Sequence, residues 1–161
     1  MADVTILEGK RILAVDDERD VLDVIREQLE SSRLVTALDF GAAREHLEKE
    51  AFDLVILDIM GVKGFDLLEL AREKRLPAVM LTAHALTPES LQRAIDKGAV
   101  SFLPKEEIER LTELVAEIFE GLREQKTHWP KLVERLGPRF KELWGEMWHQ
   151  IEFPRDSRIS W

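Results

Sequence analysis

Asp16 with Asp17, then Asp58, Thr82 and Lys105, are far apart in the chain yet share one setting: each follows a short apolar run. Gathered together, three carboxylates, a hydroxyl and an ammonium suit one kind of reaction. Clustered carboxylates repel one another unless a cation sits among them. Mg²⁺ accepts one or two carboxylates, keeps several waters and completes its shell with phosphate oxygens. One aspartate of such a set can then attack phosphorus and become an aspartyl phosphate. Lys105 and the Thr82 hydroxyl would offset the charge left on the equatorial oxygens.

The elements that would gather these residues alternate along the chain. Apolar, β-branched-rich runs at residues 11–15, 34–38, 54–57, 78–81 and 101–103 read as strands, with helical spacing at about 20–31, 42–51, 65–74, 88–97 and 106–124. In the first helix Val21, Leu22, Ile25 and Leu29 recur at three- and four-residue steps and share one face. In the last, Ile108, Leu111, Leu114, Val115, Ile118, Phe119 and Leu122 form the stripe, with Glu109, Glu113, Glu117 and Glu120 mostly off it. Continuous apolar strands separated by helices imply a parallel sheet covered on both faces. The expected class is α/β, a doubly wound five-stranded parallel sheet, whose ligands bind beyond the carboxyl ends of the strands. All five polar residues close strands at that edge.

Composition narrows the possibilities. The chain has 161 residues, 32 acidic against 23 basic, and a net charge of −9. That balance argues against non-specific nucleic-acid binding, which rests on Lys and Arg neutralising phosphates. Zero cysteines excludes disulfides, thiolate nucleophiles and Cys-ligated metal centres. No apolar run approaches the roughly 18 residues of a membrane span, and the N-terminus shows no secretory pattern, so a cytoplasmic location is expected.

The composition shifts near Lys126. Residues 1–125 carry a net charge of −11 and residues 126–161 a net of +2, and all four tryptophans, Trp129, Trp144, Trp148 and Trp161, lie in the second part. Phe140, Leu143, Trp144, Met147, Trp148 and Ile151 make a helical stripe there, and Gly137-Pro138 separates it from Leu132, Val133 and Leu136. The expectation is two short helices. This tail can pack back on the first part, join two protomers as a homodimer, or dock another protein.

Four motifs occur in order: Asp16-Asp17, LVILDIM around Asp58, VMLTA around Thr82 and SFLPK around Lys105. Over about residues 8–124 this pattern resembles the receiver domain of two-component response regulators. The resemblance implies a flavodoxin-like strand order 2-1-3-4-5, a receiver over residues 1–125 and a Trp-rich helical extension over 126–161 that matches no recognised output domain. It implies a stand-alone signalling protein rather than a metabolic enzyme. Asp58 would be the phosphoacceptor; Asp16, Asp17, Asp58 and the backbone carbonyl of Met60 would hold Mg²⁺ or Mn²⁺. Lys105 and Thr82 would bind the phosphoryl group, and Phe102, three residues before Lys105, would be the aromatic switch. The implied partners are a histidine kinase or histidine phosphotransfer protein and a downstream protein, with no direct nucleic acid and no membrane.

One stretch departs from the family pattern. Where receivers carry Pro four residues after the phosphoacceptor and Gly eight after, this chain has Val62 and then Gly64 at six, so the loop is two residues shorter. His84 reads as an exposed loop residue, and His46, His128 and His149 as incidental. Two rival readings remain at this level. One is a phosphorylation-independent interaction module acting through the tail. The other is a phosphatase of the haloacid dehalogenase type, which needs a second Asp where Met60 stands.

Overall fold

Strand residues with apolar side chains on both faces pack only between two layers of helices, and all five strands here are of that kind. The structure is a computed structural model and describes residues 3–83 and 87–154. The strands are β1 (Arg11–Val15), β2 (Arg33–Ala37), β3 (Leu54–Asp58), β4 (Ala78–Thr82) and β5 (Ser101–Pro104). They form one parallel sheet in the order β2-β1-β3-β4-β5. Between and after them run α1 (Arg19–Gln28), α2 (Phe40–Lys49), α3 (Gly64–Glu73), α4 (Pro88–Asp96), α5 (Leu111–Arg123) and α6 (Trp129–Trp144). The inner strands β3 and β4 are buried along their whole length.

Helix starts follow local chemistry. Asp39 caps α2 by accepting from the Ala42 N–H at 2.8 Å, and Thr87 caps α4 by accepting from Ser90 N–H at 3.2 Å, with Pro88 opening the first turn. The stripe of α1 behaves as its spacing predicts: Leu22, Ile25 and Leu29 are buried. The last predicted helix is shorter than expected. Residues Lys105–Arg110 form a 3₁₀ turn, broken at Glu107 (φ −102°, ψ 17°), and α5 begins only at Leu111.

The tail corrects two expectations. It forms one helix, α6, running through Gly137-Pro138, followed by a 3₁₀ turn at Gly145–Gln150. Proline in a helix interior costs about 3 kcal/mol. Burial on both sides of the pair offsets it: Trp129, Leu132, Leu136 and Phe140 recur on one stripe and are all within 3% of full burial. At about 1.5–3 kcal/mol per buried side chain, continuity of that stripe outweighs the proline. The helical stripe beyond the pair is buried in part: Phe140 and Ile151 are buried, while Leu143 and Met147 are exposed. Glu117, expected off the apolar face of α5, is buried because α6 covers it.

The short link from β3 to α3 works because Gly64 lacks a side chain. A Cβ there would collide with the backbone carbonyl of Asp58 and Cα of Ile59, and backbone cannot swing aside. Gly41, within α2, has room, the nearest atom being Asp39 Oδ1 at 3.5 Å. Gly64→Ala is therefore expected to lower the unfolding free energy by about 1–3 kcal/mol, the usual range for overpacking. Gly41→Ala is expected to raise it by up to about 1 kcal/mol through helix propensity. Urea titrations of the two variants beside the parent check both signs.

Candidate functional site

Strand register brings the acids together. Val15 pairs with Leu57 across β1 and β3, so Asp16, next in its chain, emerges beside Asp58. Asp58 pairs with Leu81, which places Thr82 at the adjacent strand end, and Thr82 pairs with Pro104, which places Lys105 one residue beyond. β1 and β3 are neighbours at the point where strand order reverses, so their following loops part and leave a crevice.

Asp16 is fully buried and Asp58 nearly so, at 4% exposure, while Asp17 is exposed at the rim. The Lys105 ammonium stands 2.9 Å from Asp16 Oδ2, 3.3 Å from Asp58 Oδ1 and 3.4 Å from Glu18 Oε2. Asp16 Oδ1 accepts from the Glu18 N–H at 2.9 Å; Asp16 Oδ2 faces Lys105 as an ion pair outside hydrogen-bond alignment. Gly61 (φ +83°) provides the turn beside Asp17, and a Cβ on it would collide with the Asp17 carboxylate.

Burial shapes the titration of Asp58, Asp16 and Lys105. It pushes Asp58 up to about 6, with the Asp16 charge adding to the rise and Lys105 opposing it. It likewise holds Asp16 above the usual carboxylate range, against the pull of Lys105 and the Glu18 N–H. Burial works against the Lys105 ammonium too, yet Asp16 and then Asp58 outweigh it and raise its pKa above the ordinary lysine value.

The donor set fits a divalent cation. Among the described residues, Asp16, Asp17 and Asp58 each offer a carboxylate oxygen, all within 4.8 Å of one another. Three carboxylates against one ammonium leave a formal charge of −2, setting aside the exposed Glu18, and one divalent ion cancels it. Hard oxygen donors at a partly open rim suit Mg²⁺ or Mn²⁺.

The remaining expected residues take other positions. Thr82 is buried beside the site with its hydroxyl donating to the Ala83 carbonyl at 3.0 Å. Met60 lies in the turn after β3 and is 73% exposed. Phe102 is fully buried, its ring edge-on to Phe140 of α6 with centroids 6.4 Å apart. His84 lies outside the described residues.

Sequence reasoning missed a second polar cluster. Ser101 Oγ lies 2.7 Å from His128 Nδ1, His128 Nε2 lies 3.0 Å from Glu117 Oε2, and Arg135 pairs with the other Glu117 oxygen. Burial opposes ionisation of Glu117, but the His128 hydrogen bond and the Arg135 charge prevail and lower its pKa. No spacing signal marked these residues. By sequence His128 is incidental, and only the packing of α6 onto α5 makes it a buried partner.

Comparison with known proteins agrees with this geometry. The family model for the response regulator receiver domain matches residues 12–117. The transcriptional regulatory protein CpxR of Escherichia coli (strain K12) is 35% identical over 126 residues, covering 74% of this chain and 51% of CpxR. The two-component response regulator ARR10 of Arabidopsis thaliana is 36% identical over 104 residues, 60% of this chain and 19% of that protein. The chain thus spans about half the length of CpxR and less of ARR10. Among solved structures, a CheY-like response regulator receiver domain protein from Methanospirillum hungatei JF-1 superposes with a TM-score of 0.63 at 30% identity, covering 73% of this chain and 97% of that one. The BeF₃-activated receiver domain of DrrB, a Thermotoga maritima protein, gives 0.63 at 26% identity, covering 70% and 98%. A family-model match over residues 12–117, about two thirds of the chain, places the chain in the family of response regulator receiver domains.

Proposed function

We propose that Asp58 accepts a phosphoryl group from a phosphohistidine on a histidine kinase or histidine phosphotransfer protein. The phosphorylated chain then acts on a downstream protein or passes the group on in a relay. The observation that carries this reading is a nearly buried Asp58 carboxylate held 3.3 Å from Lys105 within a three-carboxylate cluster. The functional division proposed with it is a receiver over residues 1–125 and a helical extension from 126. No described helix is long and apolar enough to cross a membrane, and the cytoplasm is the compartment proposed.

In the transfer, an Asp58 oxygen forms a bond to phosphorus as the phosphorus–nitrogen bond of the donor breaks. The leaving imidazole keeps that electron pair and takes up a proton. Lys105 already contacts Asp58 and meets the phosphoryl oxygens as their charge develops. The Thr82 hydroxyl exchanges its Ala83 carbonyl for a phosphoryl oxygen. Asp16, Asp17, Asp58 and the Met60 backbone carbonyl would hold Mg²⁺ or Mn²⁺, which when bound supplies the positive charge that lets an anionic donor approach an acidic cleft.

Incubation with Mg²⁺ and acetyl phosphate is expected to add one base-labile phosphoryl group, read by intact mass. Asp58→Asn is expected to abolish it, and Lys105→Ala to slow its formation at least tenfold, one missing charge-stabilising contact costing about 10²–10³ in comparable sites. An adduct of equal yield on Asp58→Asn would refute the assignment.

Metal-free protein should also show the strain of the cleft. The folded pKa of Asp58, about 6, lies above the ordinary 3.8, so the folded chain binds this proton more tightly than the unfolded chain. That contribution is full below about pH 4 and is lost as pH rises through 6, amounting to roughly 1–3 kcal/mol by neutral pH. Asp16, raised in the same direction, adds to the decline. Urea unfolding in chelator from pH 4.5 to 7.5 is expected to show stability falling, Asp58→Asn flattening the fall, and Mg²⁺ restoring stability at pH 7.

A further inference from the structure

The tail is held at its two ends by different kinds of contact. At its start, His128 lies buried between Ser101, at the opening of β5, and Glu117 of α5, and Arg135 adds a second contact to Glu117. Both anchors lie before Pro138. Beyond it the contacts fall near the phosphoacceptor edge. Arg139 pairs with Glu106, the residue next to Lys105, and Phe140 packs on Phe102. Farther on, the Glu152 N–H donates to Gln92 Oε1 of α4 at 2.7 Å, and Gln92 returns a bond to the Glu152 carbonyl at 3.3 Å.

The second half also carries uncompensated burial of its own. Arg139 Nε and Trp148 Nε1 are buried without an acceptor in the protein, each a desolvation cost with no compensating bond. Pro138 removes the helical hydrogen bond that a residue there would give to the Glu134 carbonyl, and Gly137 beside it carries no side chain to stiffen the turn. The helix is therefore weakest where its two kinds of anchorage meet.

We propose that residues 139–154 form a flap hinged at Gly137-Pro138, seated on β5 when Asp58 is unmodified and released when Asp58 is phosphorylated. The proposal rests on Asp58 being the phosphoacceptor. The coupling runs through one short segment. Lys105 now divides itself between Asp16 and Asp58, and a phosphoryl group on Asp58 draws its ammonium outward to the new oxygens. Glu106, the next residue in the same 3₁₀ turn, moves with it and carries away the carboxylate that Arg139 grips. Thr82 turns in the same step, and its register partner Pro104 lies two residues from Phe102, the seat of Phe140. Residues 129–136, anchored by Glu117 and Ser101 on the far side of the hinge, stay in place.

Hydrogen–deuterium exchange on the full chain, with phosphorylation followed by intact mass in the same samples, tests this. With the adduct formed, amides of residues 139–154 are expected to exchange roughly tenfold faster, within the range usual for coupling between two sites, and those of 129–136 to keep their rates. Arg139→Ala is expected to give the faster rates without phosphorylation. It is also expected to raise the fraction phosphorylated at limiting acetyl phosphate severalfold, because linkage is reciprocal. An adduct with unchanged exchange in 139–154 overturns the flap. Equal acceleration on both sides of Pro138 overturns the hinge. Failure of the parent chain to form any adduct removes the phosphoacceptor reading and the flap together.

Discussion

Lys105 stands between two carboxylates, Asp16 and Asp58, at a depth where neither holds its charge cheaply. Removing the ammonium would leave two desolvated acids side by side, an arrangement that costs far more than the pairing gains. The sheet order follows from this need as much as it creates it. Adjacent β1 and β3 put the acids next to each other; β5 lies two strands from β3, about 10 Å away at ordinary strand spacing. Only a long flexible side chain bridges that gap, and it passes the end of β4, where Thr82 presents a small hydroxyl rather than a bulky group. The register of Asp58 with Leu81 and of Thr82 with Pro104 is thus part of the electrostatics of the site.

The same strand that delivers Lys105 is an edge, and an uncovered edge invites pairing with other chains. Here α6 covers it. An apolar helix can slide along an apolar surface with little change in energy, whereas Ser101, His128, Glu117 and Arg135 meet in only one register. Burying them contributes little net stability, since desolvation opposes the bonds. What the cluster contributes is position: it sets where along β5 the helix begins, and so which tail residues reach Glu106 and Phe102.

Much of the sheet and of the site was legible because both rest on local signals. Apolar runs closing in Asp58, Thr82 and Lys105 carry their own strand signature, and parallel topology alone sends those ends to one edge. Strand bounds agree to within a residue for all five strands. The tail was less legible because its structure depends on what it packs against. Gly137-Pro138 reads as a break by propensity, and only burial of Leu132, Leu136 and Phe140 on a common surface carries the helix through it. Glu117 and His128 look like solvent residues for the same reason, since their burial is created by a contact between segments that no periodicity encodes. Glu18, a third carboxylate on Lys105, was missed because it begins a helix and reads as a cap residue.

The short loop after β3 decides from which side Asp58 is reached. Val62 is buried, Lys63 turns the chain with a left-handed conformation (φ 54°), and Gly64 lies directly against the Asp58 backbone, so the loop is drawn tightly inward. A tight loop leaves Met60 standing out as the one large apolar side chain, among the described residues, exposed at this rim, next to the exposed carboxylates of Asp17 and Glu18. Asp16 and Lys105 close the cleft from behind. On the function proposed above, a donor histidine that enters over Met60 passes between the exposed acids, and a protein presenting it there would gain from an apolar patch flanked by positive charge.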